Sequence, residues 1–328
     1  MGTTDNLVAD AAARLFATAA AADEAFDAAL WQAFRASGLA GILAEGGIAD
    51  AVAVLRPCGS HGAAIPAAEA VLGDWLASRA GLAAEEGLVA VATVSTLKLQ
   101  AGKASGEVRR VPWGRHADVL YAVAGTSVVR IAAKSASAVQ GENMAGEPRD
   151  TLRFDAVPAT EVKGTSADEL LAMAALLRAA QMVGAMERSL DLSLEHATQR
   201  QQFGRPISAF QAVQQMLSLI ASHTAAAAAA VDLAAQHATG GLLEAAIAKS
   251  RAGEAAGLVA ENAHQVIAAM GFTREHPLHR CTRRLWSWRD ECGNEAFWNA
   301  KLGEAAARAG EAGVWPMIAD GAWPRGAA

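Results

Sequence analysis

From Gly164 almost to its last residue the chain keeps one hydrophobic period, that of an α-helix, and no other feature narrows its fold as much. Consecutive amphipathic helices can cover their apolar stripes only against one another, so an antiparallel bundle is predicted for residues 163–328. Ser166 and Glu169 have the spacing of a capping box, and a long helix should run from there to Gln199. A second helix is expected from Ser208, where Ser208 and Gln211 repeat the device. Its stripe is Phe210, Val213, Leu217 and Ile220, and the alanine tract 225–230 continues it. A third spans 242–270 with Val259, Ala263, Val266 and Met270 at helical spacing, and a fourth and fifth follow the loop GFTREHPL.

Upstream the texture differs. Residues 1–84 are alanine-rich and read as helices, with Phe26, Leu30 and Phe34 four apart ahead of a stop at Gly38. Between positions 45 and 66 Gly and Pro recur irregularly, which reads as a break, before helical spacing resumes through Val71, Trp75 and Leu76. Residues 85–162 carry short β-branched runs such as LVAVATVSTLK, DVLYAVAG and SVVRIAA between turn residues. Runs this close together predict antiparallel meanders or a barrel, because parallel pairing needs a crossover of about a dozen residues. The expected architecture is mainly α with a central β domain: a helical unit, a small β-barrel-like unit and a helical bundle.

Composition removes several functions. Against 28 Lys plus Arg stand 34 Asp plus Glu, with no basic stripe interleaved with aromatics, so nucleic acid is not an expected partner. Cys58, Cys281 and Cys292 lack C-x-x-C spacing, which argues against a zinc ribbon or a disulfide framework and for a reducing cytoplasm. No metal is assigned, since His61, His276 and His279 form no recognised ligand pattern. No signal peptide or membrane span is expected, since the N-terminus has no basic stretch leading into an apolar core and no stretch reaches about 18 uninterrupted apolar residues.

One stretch stands out, QRQQFGRPISAFQ at 199–211. Gly204 and Pro206 end one helix, and each other residue has a plain structural role open to it: Phe203 at a core edge, Gln211 in a capping box, Arg200 and Arg205 in solvent. As a string it resembles the motif that opens the C-terminal helical domain of acyl-CoA dehydrogenases. The resemblance implies that Arg200, Gln202, Phe203 and Gln211 lie at a subunit interface against the pyrophosphate and adenosine of FAD, where a guanidinium suits a phosphate. A second match, IAKSRAGEAAGLVAENAHQVIAAMGFTREHP, puts Gln265 where a glutamine helps hold the adenosine diphosphate part. The family's Gly-Gly is here Ala268-Ala269, whose methyl groups would obstruct a close backbone approach. The T-x-x-x-x-G-S-D and tryptophan-threonine elements that embrace the flavin ring are missing from the β domain.

The catalytic base is missing too. Members of this family use a buried glutamate to take the α proton of an acyl thioester. Aligned with the family pattern, Cys292 occupies one known glutamate position, with Glu291 one residue, about 100°, away on a helix. The other known position, early in the helix before RQQFG, is Ala174. Cys292 reads as a structural cysteine. Trp286, Trp288 and Trp298 fit an interface or a core stripe equally.

The resemblance implies α,β-dehydrogenation of an acyl-CoA with FAD as hydride acceptor and an electron-transfer flavoprotein as electron acceptor. With no base in place, the favoured form is a homo- or hetero-oligomer, above all a pairing with a complete second subunit, as in enzymes acting on bulky sterol-derived acyl-CoAs. Two alternatives stay open: a non-catalytic scaffold of the same fold that has lost independent flavin binding, and a flavin oxidase or monooxygenase.

Overall fold

The computed structural model describes residues 3–19, 26–237 and 241–319. The sequence readings on residues 1–2, 20–25 and 320–328 therefore lie outside the described residues. The chain starts with helices α1 (Thr3–Phe16), α2 (Ala28–Ala36), α3 (Ile42–Glu45), α4 (Ile48–Ser60) and α5 (Ala67–Arg79). Asp27 caps α2 by accepting a bond from the Leu30 amide at 2.9 Å, and the chain turns at Gly38 with φ 77°. Leu30 and Phe34 are buried.

The break expected at 45–66 is in fact the helix α4, with Pro57 inside it. Tertiary packing overrides the breaker: Val52, Val54, Leu55 and Cys58 are all buried. Two glycines explain how. A Cβ at Gly59 would collide with the carbonyl of Gln181, and one at Gly184 with the carbonyl of Arg56, so α4 and the helix carrying Gly184 cross backbone to backbone.

The strands are β1 (Val89–Ala92), β2 (Lys98–Gln100), β3 (Lys103–Pro112), β4 (Val119–Ala124), β5 (Ser127–Ala132), β6 (Ser137–Val139) and β7 (Arg149–Ser166). They form one sheet in the order β1-β4-β5-β7-β3-β2, with β6 also on β7. All pairs are antiparallel but one: β1 and β4 run parallel, Val89 opposite Val119. The antiparallel expectation failed there because β2 and β3 lie between the two strands in sequence and supply the long crossover themselves. Strand β7 ties the sheet together, pairing β3 through its first half and β5 through its second. In β3 the register slips between Val108 and Val111, a bulge at which Arg110 has φ 54°.

The helical half comprises α6 (Ala167–Gln199), a small hairpin of β8 (Gln201–Gln202) and β9 (Arg205–Pro206), then α7 (Gln211–His237), α8 (Leu242–Ile267), α9 (Leu278–Asp290) and α10 (Glu295–Ala319). Ser166 caps α6 by accepting the Glu169 amide at 3.1 Å, as its spacing predicts. The Glu169 carboxylate turns instead to Arg79.

The second capping box does not form. Ser208 sits in a short 3-10 turn, its carbonyl accepts Gln214 Nε2 at 3.0 Å, and α7 begins at Gln211. Helix α8 also ends early, at Ile267, and Met270 in the following 3-10 turn is 45% exposed rather than on the core stripe. Ala268 ends α8 at φ 59°, ψ −146°.

Helix α6 and residues 211–236 are long and apolar enough to cross a membrane by length and composition alone. The α6 window is 89% buried and forms the core. That of α7 is only 33% buried, so an apolar helix face is left uncovered within this chain.

Candidate functional site

A cleft of about 340 Å³ opens where the helical units meet the sheet. Helix α5 contributes Ala68, Glu69 and Leu72, and the end of β1 with the turn after it contributes Val91 to Thr96. Strand β3 supplies Arg110 and Pro112, α6 supplies Ala174 and Arg178, and the end of α9 with the turn after it supplies Asp290 to Gly293. Ala174 and Cys292, which the sequence singles out as the two sites lacking a base, therefore share one cavity although 118 positions apart in the chain.

Glu291, beside them, is fully engaged. Its Oε1 accepts Arg149 Nε at 2.8 Å, its Oε2 accepts Arg149 Nη2 at 3.1 Å, and Arg178 Nε lies 3.3 Å from Oε2. Burial alone would raise its pKa, but the charges of Arg149 and Arg178 outweigh burial and hold the carboxyl below its ordinary range. A carboxylate held this way is a poor proton acceptor.

The network extends further. Arg178 donates to Glu69 at 2.7 Å and to Gln181 at 2.5 Å, while Arg149 and Arg284 both reach Glu147. Glu147 also accepts Trp288 Nε1 at 3.0 Å. Burial works against its charge, yet the three arginines hold its pKa down to about 2. Three glutamates and three arginines thus neutralise one another beneath the cleft. Trp288 is part of this core, and Trp298, fully buried, donates Nε1 to the Cys292 carbonyl at 3.0 Å. For these two tryptophans the core reading holds.

The turn bearing Cys292 is held from below. Buried Lys249 donates to the carbonyls of Arg289 at 2.7 Å and Gly293 at 2.8 Å. Burial pushes its pKa down to about 8. Cys292 has φ 56°, and burial raises its thiol above the ordinary range, so the neutral thiol is favoured and no thiolate base is on hand.

None of Arg200, Gln202, Phe203, Gln211 or Gln265 lines this cleft. The 200–211 arm is the hairpin β8–β9, with Phe203 and Gly204 at its tip at φ 52° and 79°, as a two-residue hairpin turn requires. Phe203 is 91% exposed, which corrects its reading as a core-edge residue. It meets Phe210 edge-on at 6.1 Å, and Arg205 lies over Phe210 at 4.3 Å. Arg200, Gln202, Gln211 and Gln265 are exposed, and among the described residues no hydrogen bond or ion pair engages their side chains.

The arm thus offers a free guanidinium, free amides and an exposed ring to something outside this chain. The cleft offers little. Ser95 Oγ is spent on the Val123 carbonyl and the Leu97 amide, Thr96 Oγ1 on both backbone groups of Glu107, and Pro112 has no N–H. Among the described residues, no hydrogen bond or ion pair engages the side chains of Thr93 and Arg110, which also line the cleft.

Sequence reasoning missed Glu69, Glu147, Arg149, Arg178 and Arg284. The usable signal was a lone charge in an otherwise apolar helical run, as in AAEAVL and LLRAAQMV.

Comparison with known proteins bears on the family and the fold. Residues 164–289 match the family described as acyl-CoA dehydrogenase, C-terminal domain. The acyl-CoA dehydrogenase IpdE2 of Mycobacterium tuberculosis is 32% identical over 279 residues, covering 81% of this chain and 83% of that protein. IpdE2 of Mycolicibacterium smegmatis is also 32% identical, over a stretch that covers 51% of its length. The fold matches a Tcur3481-Tcur3483 steroid acyl-CoA dehydrogenase variant (TM-score 0.86, 21% identity, 93% of this chain and 98% of that one). It matches the ChsE4-ChsE5 complex of M. tuberculosis equally well (0.85, 21%, 94% and 98%). The chain belongs to the acyl-CoA dehydrogenase family.

Proposed function

We propose that this chain is one subunit of a hetero-oligomeric, FAD-dependent acyl-CoA dehydrogenase of the cytoplasm that introduces a 2,3 double bond into a bulky acyl-CoA. One observation carries the reading: both positions from which the family draws its base open onto one cleft, and they hold Ala174 and Cys292. Of the carboxylates that line the cleft, Glu69 and Glu291 are engaged by Arg178 and Arg149 and Glu107 by Arg109 and Arg153, while Asp290, at neither of the family's two positions, has no ion pair among the described residues.

The division of labour follows. Flavin, where bound, accepts a hydride from the β carbon of the thioester. Arg200, Gln202, Phe203 and Gln211, with Gln265, would serve the pyrophosphate and adenosine of a flavin whose ring is held by a complete neighbouring subunit. That neighbour would take the α proton, and an electron-transfer flavoprotein would accept the electrons. The uncovered face of α7, continuous in sequence with the arm, supports docking of a second chain. The assembly of ChsE4 with ChsE5 and the steroid named for the Tcur3481-Tcur3483 enzyme support a heteromer and a large substrate.

The test is size-exclusion chromatography with a flavin absorbance scan, on this chain alone and after co-expression with a complete family member. Colourless protein that turns yellow only with its partner is the expected result. Yellow homo-oligomer that oxidises acyl-CoA unaided overturns the shared site, and colourless protein under both conditions favours the scaffold.

A further inference from the structure

The β3 bulge serves no purpose in the dehydrogenase reading, yet it places a strained residue on the cleft. Arginine has no intrinsic preference for left-handed backbone, and a non-glycine residue there costs about 1 kcal/mol or more. Bulges beside sites commonly re-aim a side chain. Here the bulge brings both Arg109 and Arg110 to the cleft wall.

The two arginines differ in what holds them. Arg109 is ion-paired with Glu107, whose other oxygen accepts Arg153 Nε at 2.6 Å. Deeper in, Arg178 is divided among Glu69, Glu291 and Gln181. Among the described residues no hydrogen bond or ion pair engages the guanidinium of Arg110. Part of the cleft wall is apolar, formed by Ala68, Leu72, Val91, Ala92 and Ala174. The other uncommitted charge on the cleft is Asp290, at the end of α9, which repels an anion from that side and favours the β3 side.

We propose that Arg110 anchors the anionic group of a ligand whose apolar body lies against this wall. The anion is a carboxylate carried by the acyl part of a CoA thioester or a phosphate of a nucleotide, both of which a free guanidinium holds bidentately. The choice of probes rests on the acyl-CoA dehydrogenase reading, but binding requires neither flavin nor turnover. Loss of this site and loss of that function are therefore separable.

Isothermal titration of the full chain with glutaryl-CoA, pentanoyl-CoA and ADP tests the assignment. Glutaryl-CoA should bind about tenfold tighter than pentanoyl-CoA, the effect of one charge-assisted contact. Arg110→Gly, which suits the left-handed backbone, and Arg110→Gln should both abolish that preference, while Arg110→Lys keeps part of it. Equal binding of the two thioesters, with ADP binding that fails in Arg110→Gly, assigns the anchor to a phosphate instead. Affinities for all three probes within twofold of the parent in both Arg110→Gly and Arg110→Gln, or no binding of any probe to the parent chain, overturn the proposal.

Discussion

The floor of the cleft and the arm at 200–211 are built from similar residue types, arginines with polar and aromatic partners, and they are finished to opposite degrees. On the floor Glu69, Glu147, Arg149, Arg178, Arg284 and Glu291 come from distant parts of the chain and answer one another's charges out of water. On the arm, among the described residues, no hydrogen bond or ion pair engages the side chains of Arg200, Gln202 and Gln211, and Phe203 stands 91% exposed. Burial forces the first region to be complete within one chain, because an unpaired charge there costs several kcal/mol. Exposure lets the second remain open. The closed region is read as structure and the open one as a contribution to a neighbour.

The comparison breaks most visibly at Arg149, which is 3% exposed and bridges Glu147 and Glu291. Arg149→Ala should destabilise the chain by about 3–5 kcal/mol in chemical denaturation, since it strands carboxylates in a dry site. Adding Glu291→Leu to Arg149→Met should recover much of that loss. A single-variant loss under about 1 kcal/mol would show that the floor is not a coupled unit.

Acid titration probes the same region more gently. The folded pKa of Glu147, about 2, lies below its ordinary 4.5. Its stabilisation is therefore present above about pH 4.5 and is lost as pH falls toward 2, by roughly 3 kcal/mol. Glu291, shifted in the same direction, adds to the slope. Glu147→Gln should lower stability near neutrality and flatten the acid limb, and an unchanged limb would remove Glu147 from the account.

How much of this was legible follows from how local each determinant is. The Ser166 cap, the Gly38 turn and the order of helical, β and helical texture are short-range, and the sequence carried them. The parallel β1–β4 pair and α4 with Pro57 depend on packing between distant segments, which periodicity does not encode. At the site, Ala174 and Cys292 could be singled out because a motif fixed their positions, and the structure brings both to one cleft. The ion network could not, since Glu69, Arg178 and Glu291 are 109 and 113 positions apart, and nothing in sequence announces their meeting.

On the arm the expected effects are smaller for the fold and larger for the cofactor. Arg200→Ala should change stability by no more than about 0.5 kcal/mol, as an exposed side chain without partners. In a co-expressed complex it should weaken flavin retention about tenfold, the loss of one charged contact to a phosphate. Measuring both on one preparation sharpens the contrast: a stability loss like that of Arg149→Ala would make the arm a structural element, and unchanged flavin retention would remove Arg200 from the cofactor site.

The smallest effect lies at Ala268, just beyond Gln265. With Ala269 it stands where the resemblance expects Gly-Gly, and its methyl group was expected to obstruct a close backbone approach. Its backbone adopts φ 59° and ψ −146°, a region that glycine enters freely and alanine only under strain. Ala268→Gly should therefore stabilise the chain by about 1 kcal/mol, strain relief outweighing the entropy a glycine adds to the unfolded state. Ala269, which is not at positive φ, supplies the contrast: glycine there should be neutral or cost a few tenths of a kcal/mol. If both glycines destabilise alike, the turn is not strained. If only Ala268→Gly stabilises, the turn after Gln265 is held in a glycine geometry by its surroundings, although the residue type that makes that geometry easy is absent.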